Sequence, residues 1–166
     1  MYNKRQHTSP VHISGFEGNS EARVLKPISL TKGENETEKY DENWLQNLIF
    51  DHPRILQVTE IEPAFFPIHP VCMELAIEAG SLANLYVSEN GGLTLVECKL
   101  WRNPQARREV VGQVLDYAKE LSQWSYEDLD QAVGLKQGSK NALFDIVSSK
   151  VPDLDEAQFV DAVSKN

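Results

Sequence analysis

The sequence predicts an α/β domain in which helices flank a small central sheet. Three observations support this class: a β-hairpin signal at Asn90-Gly91, an amphipathic helix before it and a long helix after it. This order of elements, followed by further helices, is typical of one sheet covered by helices. With 166 residues, the chain is long enough to bury a single core.

The first part of the chain divides into an extension and a helix. Residues 1–37 are rich in Gly, Ser, Asn, Lys and Glu and are interpreted as a partly irregular extension with at most one short strand. Apolar residues then recur at helical spacing before Pro53, which predicts a helix over residues 38–51: Trp44, Leu45, Leu48 and Ile49. Residues 54–72 contain Pro63, Pro67 and Pro70 and are predicted to be irregular or edge-like.

A hairpin is predicted from two strand-like runs, Leu82 to Ser88 and Leu93 to Lys99, because an Asn-Gly pair between apolar runs is a strong turn signal. The turn type decides which residue of the first strand faces Glu97. A two-residue loop pairs Asn84 with Glu97, whereas a three-residue bulged loop puts Ala83 on that face. The sequence leaves both registers open.

The long helix is predicted to begin at Asn103-Pro104, with Asn as the cap and Pro at the first helical position. Its buried arc is predicted to be Val110, Val111, Val114, Leu115, Ala118 and Leu121. Weaker helical patterns follow near residues 126–133, 139–149 and 155–164. The chain is therefore divided into an extension (1–37), a core (38–125) and a C-terminal helical segment (126–166), whose helix-like end is consistent with truncation from a longer chain.

Glu97 and Lys99 are the residues most suited to chemistry. Alternation along the strand places them on the same face as Leu93 and Leu95, so two apolar residues are followed by two opposite charges. A carboxylate that binds Mg²⁺ beside an ammonium that orients water is what phosphodiester hydrolysis needs. An ordinary ion pair at a strand end would give the same short pattern.

The charge distribution limits the partners. A net charge of −9 argues against nonspecific nucleic-acid binding by the whole surface. Four basic residues nevertheless cluster within ten positions: Lys99, Arg102, Arg107 and Arg108. Arg107 falls within the predicted apolar arc near the helix start, where the helix dipole disfavours a cation. It is expected to meet either a neighbouring acid or a phosphate.

No apolar run is long enough to span a bilayer, and the N-terminus lacks a signal-peptide core. Cys72 and Cys98 stand far apart and show no metal-binding spacing, which favours a reduced, cytoplasmic location.

The run from Gly92 to Ala118 reads GLTLVECKLWRNPQARREVVGQVLDYA. It resembles a bacterial branch of the PD-(D/E)xK nuclease superfamily that is similar to RecB-type nucleases and archaeal mismatch nucleases. The resemblance covers roughly residues 40–125. It implies a restriction-endonuclease-like core with a small mixed central sheet and a Mg²⁺-dependent deoxyribonuclease activity, with Mn²⁺ as a substitute metal.

The resemblance also implies roles for individual residues. Glu97 corresponds to a metal ligand and Lys99 to the catalytic lysine, with the Cys98 carbonyl as a further ligand. Gln113 and Tyr117 match a helical Gln-x-x-x-Tyr element that supports the site or the DNA, and Glu42 matches the acid of the first helix. Arg102, Arg107 and Arg108 are expected to contact nucleic acid.

One family feature is missing. Related sequences usually read Asp-Asn-Leu on the first strand of the hairpin, and this aligns their aspartate, a main metal ligand, with Ala83. The activity is therefore expected to be lost or impaired, either naturally or by a deliberate inactivating substitution, and the choice of alanine favours the second. The alternative is a noncatalytic module that keeps the fold to bind nucleic acid or protein. A homodimer and additional domains of a longer chain stay open.

Overall fold

The computed structural model describes residues 10–14, 21–25, 41–99 and 104–165. The chain forms two compact units, Met1–Tyr40 and Asp41–Asn166. In the first unit, β1 (Val11–Ser14) pairs antiparallel with β2 (Glu21–Val24), so the extension contains a hairpin where one short strand was expected. The predicted residues Arg102 and Asn103 lie outside the described ranges, as does most of the extension.

The second unit is a mixed α/β domain, as predicted. Its strands are β3 (Ile68–Ile77), β4 (Gly80–Ser88) and β5 (Leu93–Val96). The helices are α1 (Glu42–Asp51), α2 (Val58–Ile61), α3 (Pro104–Leu121), α4 (Tyr126–Gln137), α5 (Ala142–Ser148) and α6 (Glu156–Lys165). No described helix combines the length and apolar character needed to cross a membrane.

The sheet has the order β3-β4-β5, and its pairings are antiparallel throughout the described residues rather than mixed. Short hairpin connections explain this, because parallel neighbours need a crossover of a dozen or more residues. Such a crossover leading to a further strand is not seen in the part of the chain described here.

Helix α1 begins at Glu42, later than the predicted residue 38. The Asp41 backbone is extended (φ −103°, ψ −176°), and its carboxylate accepts a hydrogen bond of 2.9 Å from the Trp44 N–H. This side chain satisfies a donor that the first turn leaves unpaired, which defines the helix start. The helix ends at Asp51, one residue before His52 and two before Pro53.

Strand β3 occupies part of the segment that was predicted to be irregular or edge-like. Pro70 lies within it, next to a register shift between Pro70 and Cys72. Because β3 is an edge strand, the missing N–H of proline costs no central ladder bond. Because three prolines lie close together before and within this ten-residue strand, the sequence did not predict it.

The predicted hairpin is confirmed, and its turn selects one of the two open registers. The Ser88 N–H donates to the Gly92 carbonyl (2.9 Å), so the loop consists of residues 89–91, and Gly91 has a φ of 77°. Asn84 is then paired with Val96. Continuing this register by one residue places Ala83 opposite Glu97. Strand β5 ends at Val96 rather than at Lys99.

Helix α3 begins at Pro104 as predicted, but its buried face is rotated from the predicted arc. Val111 and Leu115 are 60% and 63% exposed, and Ala118 is exposed, whereas Tyr117 is fully buried. Two polar contacts set this rotation. The Tyr117 hydroxyl donates to the Ser81 carbonyl (3.1 Å), and the Glu120 carboxylate accepts from the N–H groups of Glu78 and Ala79 (2.7 and 2.8 Å).

Two apolar clusters lie against the sheet. The larger one includes Leu85, Val87 and Tyr117 and extends to Val133 and Phe159 of the C-terminal helices. The smaller one joins Ile68 and Tyr86 to residues of α1 and α2. The helices after residue 125 therefore share a core with the sheet.

Gly91→Ala is expected to destabilise the domain. Its φ of 77° disfavours a side chain, and a Cβ would lie 2.5 Å from backbone atoms of Ala162 and Val163. Backbone strain alone should cost about 1–3 kcal/mol. Gly112→Ala is the matched control, because, apart from its chain neighbours and its own helix backbone, no atom of the described residues lies within 4 Å of its Cβ position. Because Gly112 lies in a helix interior, its replacement by alanine should raise the free energy of unfolding by about 0.5–1 kcal/mol. Urea unfolding measures both, and equal stabilities would contradict the prediction.

Candidate functional site

Glu42, Glu97 and Lys99 come together just beyond the end of β5, and we call them the charged group. Lys99 Nζ lies 3.2 Å from Glu97 Oε1 and 3.4 Å from Glu42 Oε2. The Glu97 side chain is 5% exposed, whereas Lys99 and Glu42 are 39% and 46% exposed. A buried carboxylate thus meets an ammonium that solvent can reach.

Two elements bring these residues together. Glu42 is the first residue of α1, whose start is fixed by the Asp41 cap. Glu97 and Lys99 follow β5, and the intervening Cys98 is buried. The juxtaposition of the pair with Glu42 agrees with the geometry that the sequence predicts, while the catalytic roles of the three residues stay predictions.

The second carboxylate oxygen of Glu97, Oε2, is buried and has no hydrogen-bond partner among the described residues. Buried polar atoms almost always have a partner, because desolvating one without compensation is costly. Glu97 Oε2 is therefore an acceptor whose donor or cation does not come from the described residues.

Lys99 carries its charge at neutral pH. Burial lowers its pKa, but the hydrogen bond to Glu97 and the charges of Glu42 and Glu97 outweigh this, so the pKa lies above the usual value. A permanently protonated lysine cannot accept a proton in catalysis. It can donate hydrogen bonds and offset negative charge.

Gln113 and Tyr117 are joined to each other and to β4, not to the charged group. Gln113 Nε2 donates to the Tyr117 hydroxyl, which donates in turn to the Ser81 carbonyl. The pair therefore anchors α3 to the strand that carries Ala83, two residues away. This is a supporting position, and a direct role in chemistry stays a prediction.

The predicted nucleic-acid contacts are described only in part. Arg102 and the Arg107 side chain lie outside the described structure, and Arg108 is exposed on α3. The proposed role of all three stays a prediction.

Sequence reasoning missed Gln46 and did not select Glu74. Gln46 is 7% exposed, and its Nε2 lies 2.8 Å from both Glu74 Oε1 and the Ala83 carbonyl oxygen. The Ser81 hydroxyl donates to Glu74 Oε2 (2.6 Å). A signal was present in the sequence, since Gln46 lies one turn after Glu42, between the apolar residues of the helix.

Glu74 is electrostatically part of this region. Its pKa is lowered, first by the hydrogen bond from Ser81, then by that from Gln46, with smaller contributions from the charges of Lys136 and Lys99. Glu74 is thus ionised at neutral pH and is stabilised by the charge of Lys99, the residue that Glu42 and Glu97 contact directly.

The described residues do not fit the complete metal site that the resemblance implies. No group of three or more His, Cys, Asp or Glu side chains among them is arranged to hold an ion. Glu97 offers one buried oxygen and Cys98 a backbone carbonyl, but Ala83 has no carboxylate. Glu42 and Glu97 both contact Lys99, so an ammonium neutralises the acids that a metal would need.

The charged group lies outside the apolar cavity of about 180 Å³ that is lined by Leu93, Leu95 and Leu121. Its exposed lysine and glutamate make it an open surface site. Such a site suits an extended substrate better than a small molecule, which needs an enclosing pocket.

Comparisons with protein-family models, curated proteins and solved structures found no match for this chain.

Ser81→Ala should raise the pKa of Glu74 toward its ordinary value of 4.5, because it removes the hydrogen bond that lowers it most. A carboxyl whose pKa is lowered by folding stabilises the folded state at any pH above its ordinary pKa. This contribution is lost as the pH falls through the pKa of the folded state. The stability deficit of the variant should therefore be largest at neutral pH and shrink in acid.

Thermal unfolding at neutral and acidic pH measures this effect. Ser122→Ala is the control, because the Ser122 hydroxyl donates only to the Lys119 carbonyl and its loss should be independent of Glu74. A deficit for Ser81→Ala that does not change with pH would show that the hydroxyl does not act through the carboxylate.

Proposed function

We propose that this chain is a nuclease domain of the PD-(D/E)xK type whose metal-dependent phosphodiester hydrolysis is lost or impaired at Ala83. The observation that carries the proposal is the buried Glu97 carboxylate 3.2 Å from Lys99, with Glu42 3.4 Å from the same ammonium. The turn at Gly91 adds support, because it places Ala83 opposite Glu97 when its register is continued.

The arrangement of elements supports the restriction-endonuclease-like core. A helix carrying Glu42 precedes three antiparallel strands, and a long helix carrying Gln113 and Tyr117 follows them. The resemblance implies acids on the first helix and on the sheet and a Gln-Tyr element on the later helix. All these elements lie in one unit, Asp41–Asn166.

The chemistry of the chain itself is limited to what the charged group can do. The Lys99 ammonium can donate to a phosphate oxygen and offset the charge that develops when water attacks phosphorus. A bound Mg²⁺ or Mn²⁺ would supply polarisation of the phosphate and ionisation of the water. Because the residues present do not complete a site for that ion, this chain, with alanine at position 83, is expected to hydrolyse slowly or not at all.

DNA is the proposed substrate, and the cytoplasm the proposed location. With a net charge of −9, binding must depend on local basic residues rather than on the whole surface. Lys99 and the exposed Arg108 are candidates among the described residues, and Arg102 and Arg107 lie between them in sequence.

A noncatalytic binding module is the second candidate. It is favoured by the pairing of Lys99 with two acids and by the absence of a carboxylate at Ala83. Such a module would keep the fold and use it to bind nucleic acid or protein.

Ala83→Asp should create metal-dependent cleavage of nucleic acid. The new carboxylate would lie across from Glu97 and complete the set of acids, so Mg²⁺ or Mn²⁺ should bind and raise the unfolding temperature. Cleavage of single- and double-stranded DNA and RNA, with metal and with a chelator, is the measurement. A second substitution, Lys99→Ala, should lower the rate of the restored protein by about 10²–10³-fold.

Ala157→Asp is the matched control, because it adds the same charge at an exposed position of α6 and should give neither cleavage nor stabilisation by metal. If Ala83→Asp folds but cleaves none of the four substrates, the proposed hydrolytic function is wrong.

The salt dependence of binding separates a nucleic-acid-binding role, which either candidate can have, from a protein-binding role. If the chain with Ala83 binds DNA through phosphates, its affinity should fall steeply with salt, and Arg108→Ala should reduce the slope of log affinity against log salt concentration by about 1. Fluorescence anisotropy with a labelled duplex at several salt concentrations measures both. Lys165→Ala, on α6, is the control and should leave the slope unchanged. If neither the chain with Ala83 nor the Ala83→Asp variant shows salt-sensitive binding, nucleic acid is not the partner.

A further inference from the structure

The buried amide of Gln46 has a defined task in the domain. Its nitrogen carries two N–H groups. One donates to Glu74 Oε1 and the other to the Ala83 carbonyl, each at 2.8 Å. A buried side chain whose donors are both satisfied has a fixed orientation.

The amide fills a gap between two strands. The pairing of β3 with β4 goes from Met73–Asn84 to Leu75–Leu82 and skips Glu74 and Ala83. Glu74 has a φ of 53°, which is uncommon for a residue with a side chain. The strand partner is therefore unavailable to the Ala83 carbonyl, and Gln46 supplies the hydrogen bond instead.

A second bond runs in the opposite direction. Asn84 Nδ2 donates to the backbone carbonyl of Gln46 (3.0 Å), and Asn84 is fully buried. Helix α1 and strand β4 thus exchange two hydrogen bonds, each between a side chain of one element and the backbone of the other. Glu42 lies one helical turn before this point, 3.4 Å from Lys99.

We propose that Gln46 is a positioning residue of the charged group. Its amide fills the gap between β3 and β4, orients the Glu74 carboxylate beside Ala83 and anchors α1 so that Glu42 stays next to Lys99. The effect of Gln46 on hydrolysis rests on the proposed function. The effect of Gln46 on the Glu74 carboxyl is independent of that function.

The first test uses the chain with Ala83 unchanged. Gln46→Met keeps the length and helix preference of the side chain but cannot donate hydrogen bonds. Asn47→Met is the matched control on the same helix, because the Asn47 amide bonds only to Asn43 within α1. The pKa of the Glu74 carboxyl, followed by carbon-13 NMR, should rise in Gln46→Met and stay unchanged in Asn47→Met. An unchanged pKa in Gln46→Met would overturn the proposal.

A second measurement needs no substitution, so it holds even if Gln46→Met does not fold. The side-chain N–H protons of Gln46 should exchange with solvent at least about 10-fold more slowly than those of Gln158, which is exposed on α6. Equal exchange rates would show that the Gln46 amide is not held by Glu74 and Ala83, and the proposal would fail.

The third test concerns catalysis in the Ala83→Asp protein. Adding Gln46→Met should lower kcat by about 10- to 100-fold with little change in KM, since misplacing a group by about 1 Å has effects of this size. Adding Asn47→Met should leave both unchanged. Equal losses in the two double variants would overturn the positioning role. If Ala83→Asp cleaves nothing, the proposed function fails, and the carboxyl pKa and the exchange rates still decide the role of Gln46.

Discussion

The turn between β4 and β5 sets the geometry on which the candidate site depends. A three-residue loop with Gly91 in a left-handed conformation pairs Asn84 with Val96. A slip of one residue would turn every side chain of β5 to the opposite face of the sheet. Leu95 would then leave the core, and Glu97 would lose its buried position together with Lys99, which follows two residues later. The register therefore fixes the hydrophobic core and the charged group at the same time.

Burial gives the Glu97–Lys99 pair its significance. An exposed ion pair at a strand end contributes little, because water and salt screen it. Here one carboxylate is 5% exposed, and one of its oxygens is without a partner in the described structure. A buried charge of this kind depends on its counterion, since removing the partner leaves it uncompensated. Lys99 is thus important both for the folded state and for any chemistry at this position.

Local signals predicted most of the central elements, and long-range contacts account for what was missed. The Asn-Gly turn, the proline at the start of α3 and the spacing of Glu97 and Lys99 act over a few residues, and the structure has the hairpin, the helix start and the charged pair as expected. The rotation of α3 depends instead on Tyr117 and Glu120 meeting residues near 80, some forty positions away in sequence. Periodicity alone therefore assigned Val111 and Leu115 to the core.

Strand β3 and Gln46 were missed for related reasons. A proline in a strand is acceptable only at an edge or a bulge, and the sequence does not say which strand lies at the edge. A single amide in an apolar helix face has no partner until the sheet is placed beside it. Glu74 and the Ala83 carbonyl provide the partners, at the point where β3 and β4 are not paired. The positive φ of Glu74, which interrupts this pairing, has no signature in the sequence.

Ser81 serves two networks with two different groups. Its carbonyl accepts from the Tyr117 hydroxyl of α3, while its hydroxyl donates to Glu74. The long helix and the Glu74 carboxylate are therefore coupled through one residue, with no flexible linker between them. A rotation of α3 about its own axis would break the Tyr117 contact and remove the restraint on Ser81, whose hydroxyl holds this carboxylate from the neighbouring strand β4. The rigidity of the acidic region thus originates partly in a helix that contributes no acid to it.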